Sequence, residues 1–255
     1  MLVRIRESFP TDGARLPVWK EATFWAEAAA LVSDPDFRGD EVTRGDGRPG
    51  LLVPGLLAGD ASVARLAGWL RRMGYDARRA GLVVNADCTE RTTVRLERRA
   101  EGLADASGRR VALIGHSRGG QLARALAHRR PDLVSGAITL GSPLVRPAVV
   151  HPVVVGALTT ADALGSLGVP GLARRSCIDG ECCRQFRRDV NAPLDDGVAL
   201  VTLYTRRDGI VDWRACLDPQ GEAVEVDSSH TGMAVNRHAY RAIADALPTF
   251  DTNRS

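Results

Sequence analysis

The stretch VALIGHSRGGQLARALA, residues 111–127, changes its hydrophobic rhythm half-way along. Val111 to Ile114 form a solid apolar run, the mark of a strand buried on both faces. Leu122, Ala123, Leu126 and Ala127 recur at helical spacing, and Pro131 ends the pattern. Between the two stands Gly115-His116-Ser117-Arg118-Gly119. A parallel sheet brings its strand ends beside helix N-termini, where backbone N–H groups have no internal partner and favour negative charge. A nucleophile belongs at such a point. The sharp turn strains the serine backbone, and glycine is needed at 115 and 119 because a side chain there would strike the strand or the helix.

Around this turn, apolar runs alternate with helical periodicities from Pro49 onward. GLLVP (50–54), DARRAGLVV (76–84), RRVALIG, SGAITLGSP, VALVTLYT and EAVEV read as strands. Val63, Leu66, Ala67, Leu70 and Met73 share one helix face, and Val94, Leu96, Ala100 and Leu103 another that ends near Gly108. AVNRHAYRAIADAL reads as the closing helix. Strands apolar on both faces and separated by helices imply a parallel sheet covered on both sides. Two segments break the rhythm. Residues 1–48 hold an amphipathic helix at about Val18 to Leu31 and then a polar turn region. Residues 143–196 are apolar but interrupted by Pro and Gly, too long for a plain crossover, and read as a helical cap over the sheet's C-terminal edge. The expected division is 1–48 extension, 49–142 with 197–255 core, and 143–196 cap.

With 255 residues, 44% of them hydrophobic, the chain can form one large α/β domain. Its net charge of +3 comes from arginine pairs scattered along the chain, which argues against nucleic acid as a partner. The sequence MLVRIRESFPTDG has no leader pattern, and no apolar run reaches the ~18 residues of a membrane span, so a cytoplasmic protein is expected. Cys177, Cys182, Cys183 and Cys216 are bunched, with Cys88 apart. No metal-ligand spacing is present, and neither metal nor cofactor is expected. Free thiols compete with a disulfide that closes the 177–182 loop or ties it to Cys216.

A serine needs a base, and the base an acid to orient it. On a sheet of this kind both follow the nucleophile, in the order Ser, Asp, His. Asp208 lies just past VALVTLYT and His230 just past EAVEV, so both should emerge at the edge that carries Ser117. Asp212 is the competing acid, with Gly209 and the earlier position favouring Asp208. Among the other histidines, His238 falls on a helix face, His128 suits a helix C-terminus, His151 belongs to the cap, and His116 packs or lines the pocket. The oxyanion donors should be the N–H of Arg118 and one from PGLLAGD, first Leu56 and second Leu57; such a donor supplies ~3 kcal/mol. Leu57, His116 and Val211 are the residues expected to line the substrate site.

The order of VPGLLAGD, GHSRGG, LGSP, YTRRDGIVDW and SSHTGM resembles the α/β-hydrolase family, in particular bacterial lipase-like and esterase-like serine hydrolases, over about residues 49–247. The resemblance implies Ser117 as nucleophile, Asp208 as acid, His230 as base, Leu56 and Arg118 as oxyanion donors, and a cap inserted after the sixth strand of the family's usual sheet. One departure is Pro54-Gly55 where such lipases carry His-Gly. The implied activity is cleavage of a small-molecule or lipid-like carboxylic ester through an acyl-enzyme. Peripheral lipid contact and the oligomeric state stay open. Acyl transfer or thioester cleavage by the same residues is the alternative, and a non-catalytic binding module on the same fold is a third.

Overall fold

The computed structural model describes residues 16–39, 42–145, 148–169, 171–173, 177 and 181–251. The opening stretch 1–13, read above for a leader, lies outside them. Six strands form one parallel sheet in the order β2-β1-β3-β4-β5-β6: β1 (Pro49–Val53), β2 (Asp76–Arg79), β3 (Val111–His116), β4 (Val134–Leu140), β5 (Ala199–Tyr204) and β6 (Glu222–Glu225). Each strand expected from the sequence is present.

Alternate residues of the central strands serve the two faces. Leu52, Ala112, Ile114, Ile138, Leu140, Val201 and Leu203 join one buried cluster, while Leu51, Val53, Val111, Leu113, Ala137 and Leu200 join the other. Strands that are apolar throughout, rather than every second residue, are what a sheet covered on both faces requires. On the first face lie three helices: α1 (Phe24–Ser33), α2 (Ala64–Arg72) and, near the chain's end, Arg237–Ala246. Their contributions include Leu31, Trp69, Leu70, Tyr240 and Ile243. Helix α1 belongs to the N-terminal extension, so that extension supplies part of the main core.

The opposite face carries α3 (Thr89–Ser107), α4 (Arg118–Arg129) and, after α5 (Pro152–Ser166), α6 (Arg184–Asn191). Phe186 and Val190 of α6 are buried in the same cluster as Leu96, Leu122 and Leu126. The last part of the segment read as a cap therefore lies in the flanking layer. Helix α5 packs elsewhere: Val154 and Val155 meet Ala148, Val150, Val211, Ala215 and Cys216 in a small separate cluster. The closing helix Arg237–Ala246 is α7.

Strand β2 is shorter than DARRAGLVV suggested. It is an edge strand, and past Arg79 the chain turns off the sheet, where Asp60 accepts from the Gly81 and Leu82 amides. Val83 and Val84 are thereby left exposed. The other edge strand, β6, carries Glu222 and Glu225 on exposed positions, which discourages pairing with another chain. Among the described residues no helix is long and apolar enough to cross a membrane.

Candidate active site

The turn between β3 and α4 has the strain its sequence implies. Ser117 sits at φ 50°, ψ −118°, a region that side chains rarely enter. Its amide donates to the Leu140 carbonyl at the end of β4. A β-carbon on Gly115 would stand 2.3 Å from the Gly119 carbonyl oxygen, and one on Gly119 2.2 Å from that of Val53. Neither position can carry a side chain without opening the turn.

Asp208 and His230 meet one strand over. The His230 Nδ1–H donates to Asp208 Oδ2 at 2.7 Å, and both side chains are buried. The other carboxylate oxygen, Oδ1, accepts from the amides of Ile210 and Val211 at 2.8 and 2.7 Å. Asp208 is thus a fixed acceptor whose free edge faces the imidazole. The ring lies over Gly141, directly past the end of β4, where an added β-carbon would be 3.0 Å from Nδ1. The same strand end holds the Ser117 amide, so the elbow and the imidazole both adjoin the end of β4. Burial pushes the His230 imidazolium down, but the Asp208 charge and hydrogen bond, with the Glu21 charge behind them, outweigh it and the net shift is upward. Asp212, the competing acid, accepts from the Arg214 amide and pairs with its guanidinium at the surface.

One ring nitrogen of His116 is committed to the protein: its Nε2–H donates to the His230 carbonyl at 2.9 Å, and the two rings lie 5.1 Å apart. Burial, then the neighbouring His230 charge, pushes His116 down to about 4, so it is neutral in ordinary conditions. The remaining histidines are engaged elsewhere. His128 bonds the Pro193 carbonyl, His151 caps α5 by accepting from the Val153 amide, and His238 lies at the exposed start of α7, near the Asp227 carbonyl.

On the oxyanion side, the Leu57 amide is taken by the Asn85 carbonyl at 3.1 Å, and Leu57 itself stands at φ 57° with its side chain exposed. The Leu57 amide, the second donor expected in that loop, is therefore already engaged. The Arg118 amide opens α4, where the first N–H groups lack helical partners. The Arg118 guanidinium turns away from this point, onto the carbonyls of Asn85 and Asp87. Val211, expected to line the site, is buried in the cluster beneath α5 and serves the site through its amide on Asp208.

Three supporting residues escaped the sequence reading. Glu21 Oε1 accepts from the amides of Gly209 (3.0 Å) and His230 (3.1 Å), and Oε2 from the amide (2.8 Å) and hydroxyl (2.7 Å) of Thr231. Glu27 accepts from the hydroxyls of Ser228 and Thr23, the Ser229 amide and Asn236 Nδ2. Burial raises the Glu27 carboxyl, yet these bonds more than offset it and the group is held ionised. The N-terminal helical segment thus grips both loops that carry Asp208 and His230. Asn85 does the equivalent on the opposite side: its Nδ2 donates to the Pro54 carbonyl at 2.7 Å, its backbone carbonyl receives Leu57 and Arg118, and its amide bonds Ala58. No local pattern marks these partners, which lie 188 to 210 residues away for Glu21 and 31 for the Asn85 side chain.

A family model described as alpha/beta hydrolase fold matches residues 99–160, the segment that includes the Ser117 turn. Among solved structures, the mature lipase BlEst2 of Bacillus licheniformis is 17% identical, with 82% of this chain and 94% of that chain covered at a TM-score of 0.56. The chain has the α/β-hydrolase fold. A metagenomic carboxyl esterase is 14% identical over 99% of both chains (TM-score 0.59). A thioesterase domain from the curacin biosynthetic pathway is 15% identical over 81% of this chain and 93% of its own (TM-score 0.52). No curated protein matches the sequence. Within the α/β-hydrolase fold, Ser117 occupies the strand-to-helix elbow after β3, while Asp208 and His230 follow β5 and β6.

Proposed function

We propose that the protein is a serine hydrolase of carboxylic esters that works through an acyl-enzyme on Ser117. The reading rests above all on the buried 2.7 Å bond between His230 Nδ1 and Asp208, on the same sheet edge as a strained serine. With Nδ1 committed to the carboxylate, His230 Nε2 is the nitrogen that takes the Ser117 proton as Oγ attacks the ester carbonyl. Asp208 holds the ring in that tautomer and stabilises the imidazolium. The amides of Leu56 and Arg118 receive the oxyanion, each supplying ~3 kcal/mol in the transition state. The imidazolium then protonates the departing alcohol, and water, deprotonated by His230, releases the acid.

Apolar side chains set the substrate class. Val153, Leu164, Leu167 and Val169, on and beside α5, are exposed, which favours an acyl chain over a small polar acid. In this reading the part of segment 143–196 before α6 acts as the cap. A thioester or a second alcohol would reach the same acyl-enzyme, and the likeness to a thioesterase domain keeps acyl transfer as the second reading.

The test is a panel of p-nitrophenyl esters of rising chain length, with Ser117→Ala as control and a fluorophosphonate probe for labelling. Turnover that disappears in Ser117→Ala, with labelling of Ser117, is expected. Absence of both turnover and labelling would overturn the proposal, and product analysis with added alcohols or acyl thioesters separates water from other acceptors.

A further inference from the structure

Four of the five cysteines converge at a place the ester chemistry does not use. The Sγ atoms of Cys88, Cys177, Cys182 and Cys183 all lie within 4.8 Å of one another. Cys88 and Cys183 are 3.4 Å apart, Cys182 and Cys183 3.7 Å, and none of the four is in a disulfide. A disulfide would bring two sulfurs to ~2.05 Å, whereas a tetrahedral zinc with ~2.3 Å bonds to sulfur sets its ligand sulfurs ~3.8 Å apart. The observed separations are those of thiolates grouped around a common centre.

We infer that Cys88, Cys177, Cys182 and Cys183 form a structural binding site for a thiophilic divalent cation, zinc, which staples the segment between β4 and β5 to the loop ahead of α3. Four sulfur ligands and tetrahedral spacing select zinc over hard cations that take oxygen, and a complete protein ligand set leaves no position for a substrate. Binding displaces whatever protons the four thiols hold, up to four, and leaves a tetrathiolate complex of charge −2.

The surroundings suit such a charge. Cys88 immediately precedes α3, a helix of 19 residues, whose N-terminal amides and dipole favour thiolate. Cys88 and Cys183 share a hydrogen bond at 3.4 Å, and Cys183 also accepts from the Thr89 hydroxyl and the Glu90 amide at the start of α3. Arg118 lies close enough for its charge to be felt by both sulfurs, and its buried Nε–H has no hydrogen-bond partner. The Asp87 carboxylate opposes, but Arg91 and Arg95 pair with it. The same contact between segments is reinforced by the Ala173 amide on the Ala86 carbonyl at 2.7 Å.

Sequence spacing hides this site, because Cys182 and Cys183 are adjacent and Cys88 lies 95 residues before Cys183. Adjacent cysteines normally diverge. Here the tight turn Glu181–Cys183 swings both sulfurs to one side. The fifth cysteine, Cys216, lies instead in the cluster beneath α5.

The experiment is metal analysis of the full chain purified without chelators, with intact mass and thiol titration, followed by replacement with cobalt(II). About one zinc per chain, five thiols on denaturation, and the thiolate-to-cobalt charge-transfer band of a tetrahedral sulfur site are expected. Cys182→Ser, at an exposed position, should weaken zinc binding by more than the ~10-fold that loss of an outer-sphere partner causes. Apo protein that takes up neither Zn2+ nor Co2+, an intact mass showing a Cys88–Cys183 or Cys182–Cys183 disulfide, or unchanged zinc affinity in Cys182→Ser would overturn the site. Stoichiometric iron in place of zinc would overturn the choice of ion. None of these readouts depends on catalysis, so their failure leaves the ester-hydrolysis reading untouched.

Discussion

Replacing Glu21 with alanine removes four hydrogen bonds from the loops that carry Asp208 and His230. The two on Thr231 are exposed, and water can take them over at little cost. The two from the Gly209 and His230 amides are partly buried; each, made to a charged acceptor in partial contact with water, contributes about 1–1.5 kcal/mol. The expected loss is ~2–3 kcal/mol, which for a domain of this size lowers Tm by about 4–12 °C. Catalysis should suffer as well, since a base displaced by ~1 Å costs on the order of a hundredfold in kcat. Differential scanning calorimetry and ester kinetics on the same preparation measure both effects. Glu21→Gln, which keeps one acceptor oxygen but turns an amide N–H toward the remaining donors, should fall between the two. If Glu21→Ala melts within about 1 °C of the parent and keeps its full kcat, the N-terminal segment does not hold the site and the reasoning fails.

Two further outcomes follow from the same geometry. His230 acts as a base only when neutral, and its shift is upward, so kcat/KM should fall with acid through a midpoint above the ordinary histidine value of ~6.5; a midpoint at or below that value contradicts the Asp208 pairing. The stability that the pair lends is fully present below the unfolded histidine pKa and is lost as pH rises through the raised folded one. Asn85→Ala frees the Pro54 carbonyl but also removes an Oδ1 that is buried without a partner, so stability should change by less than about 1 kcal/mol. The Leu56 amide would lose its support and kcat should drop roughly tenfold with KM little altered; an unchanged kcat in a steady-state assay would remove Asn85 from the oxyanion side.

The sheet and the elbow were readable because their signals are local. Apolar runs such as VALIG and SGAITL mark strands covered on both faces, and the glycines at 115 and 119 answer to contacts within one turn. That Asp208 and His230 come together was legible because each lies in the loop after a strand of the same parallel sheet. Edge strand β2 was over-extended because Leu82, Val83 and Val84 continue the apolar run while Asp60, far back in the chain, holds the backbone in a turn. Helix α6 was assigned to the cap because nothing in RQFRRDVN states which layer Phe186 and Val190 join. Nothing in the sequence singles out Glu21 and Glu27, since their partners are loop groups that converge only on folding. The cysteine group escapes a sequence reading for the same reason: spacing rules recognise ligands close in sequence, and Cys88 lies 95 residues before Cys183.

The Glu21 grip has a consequence for the order of events during synthesis. Glu21 is made 209 residues before His230, whose amide it holds. A nascent chain that already displays the Ser117 elbow still lacks both the imidazole and the loop that the helical segment Val18–Thr23 holds through Glu21. The grip on the Asp208 and His230 loops can therefore close only after both have been made, whatever part of the sheet has formed before them.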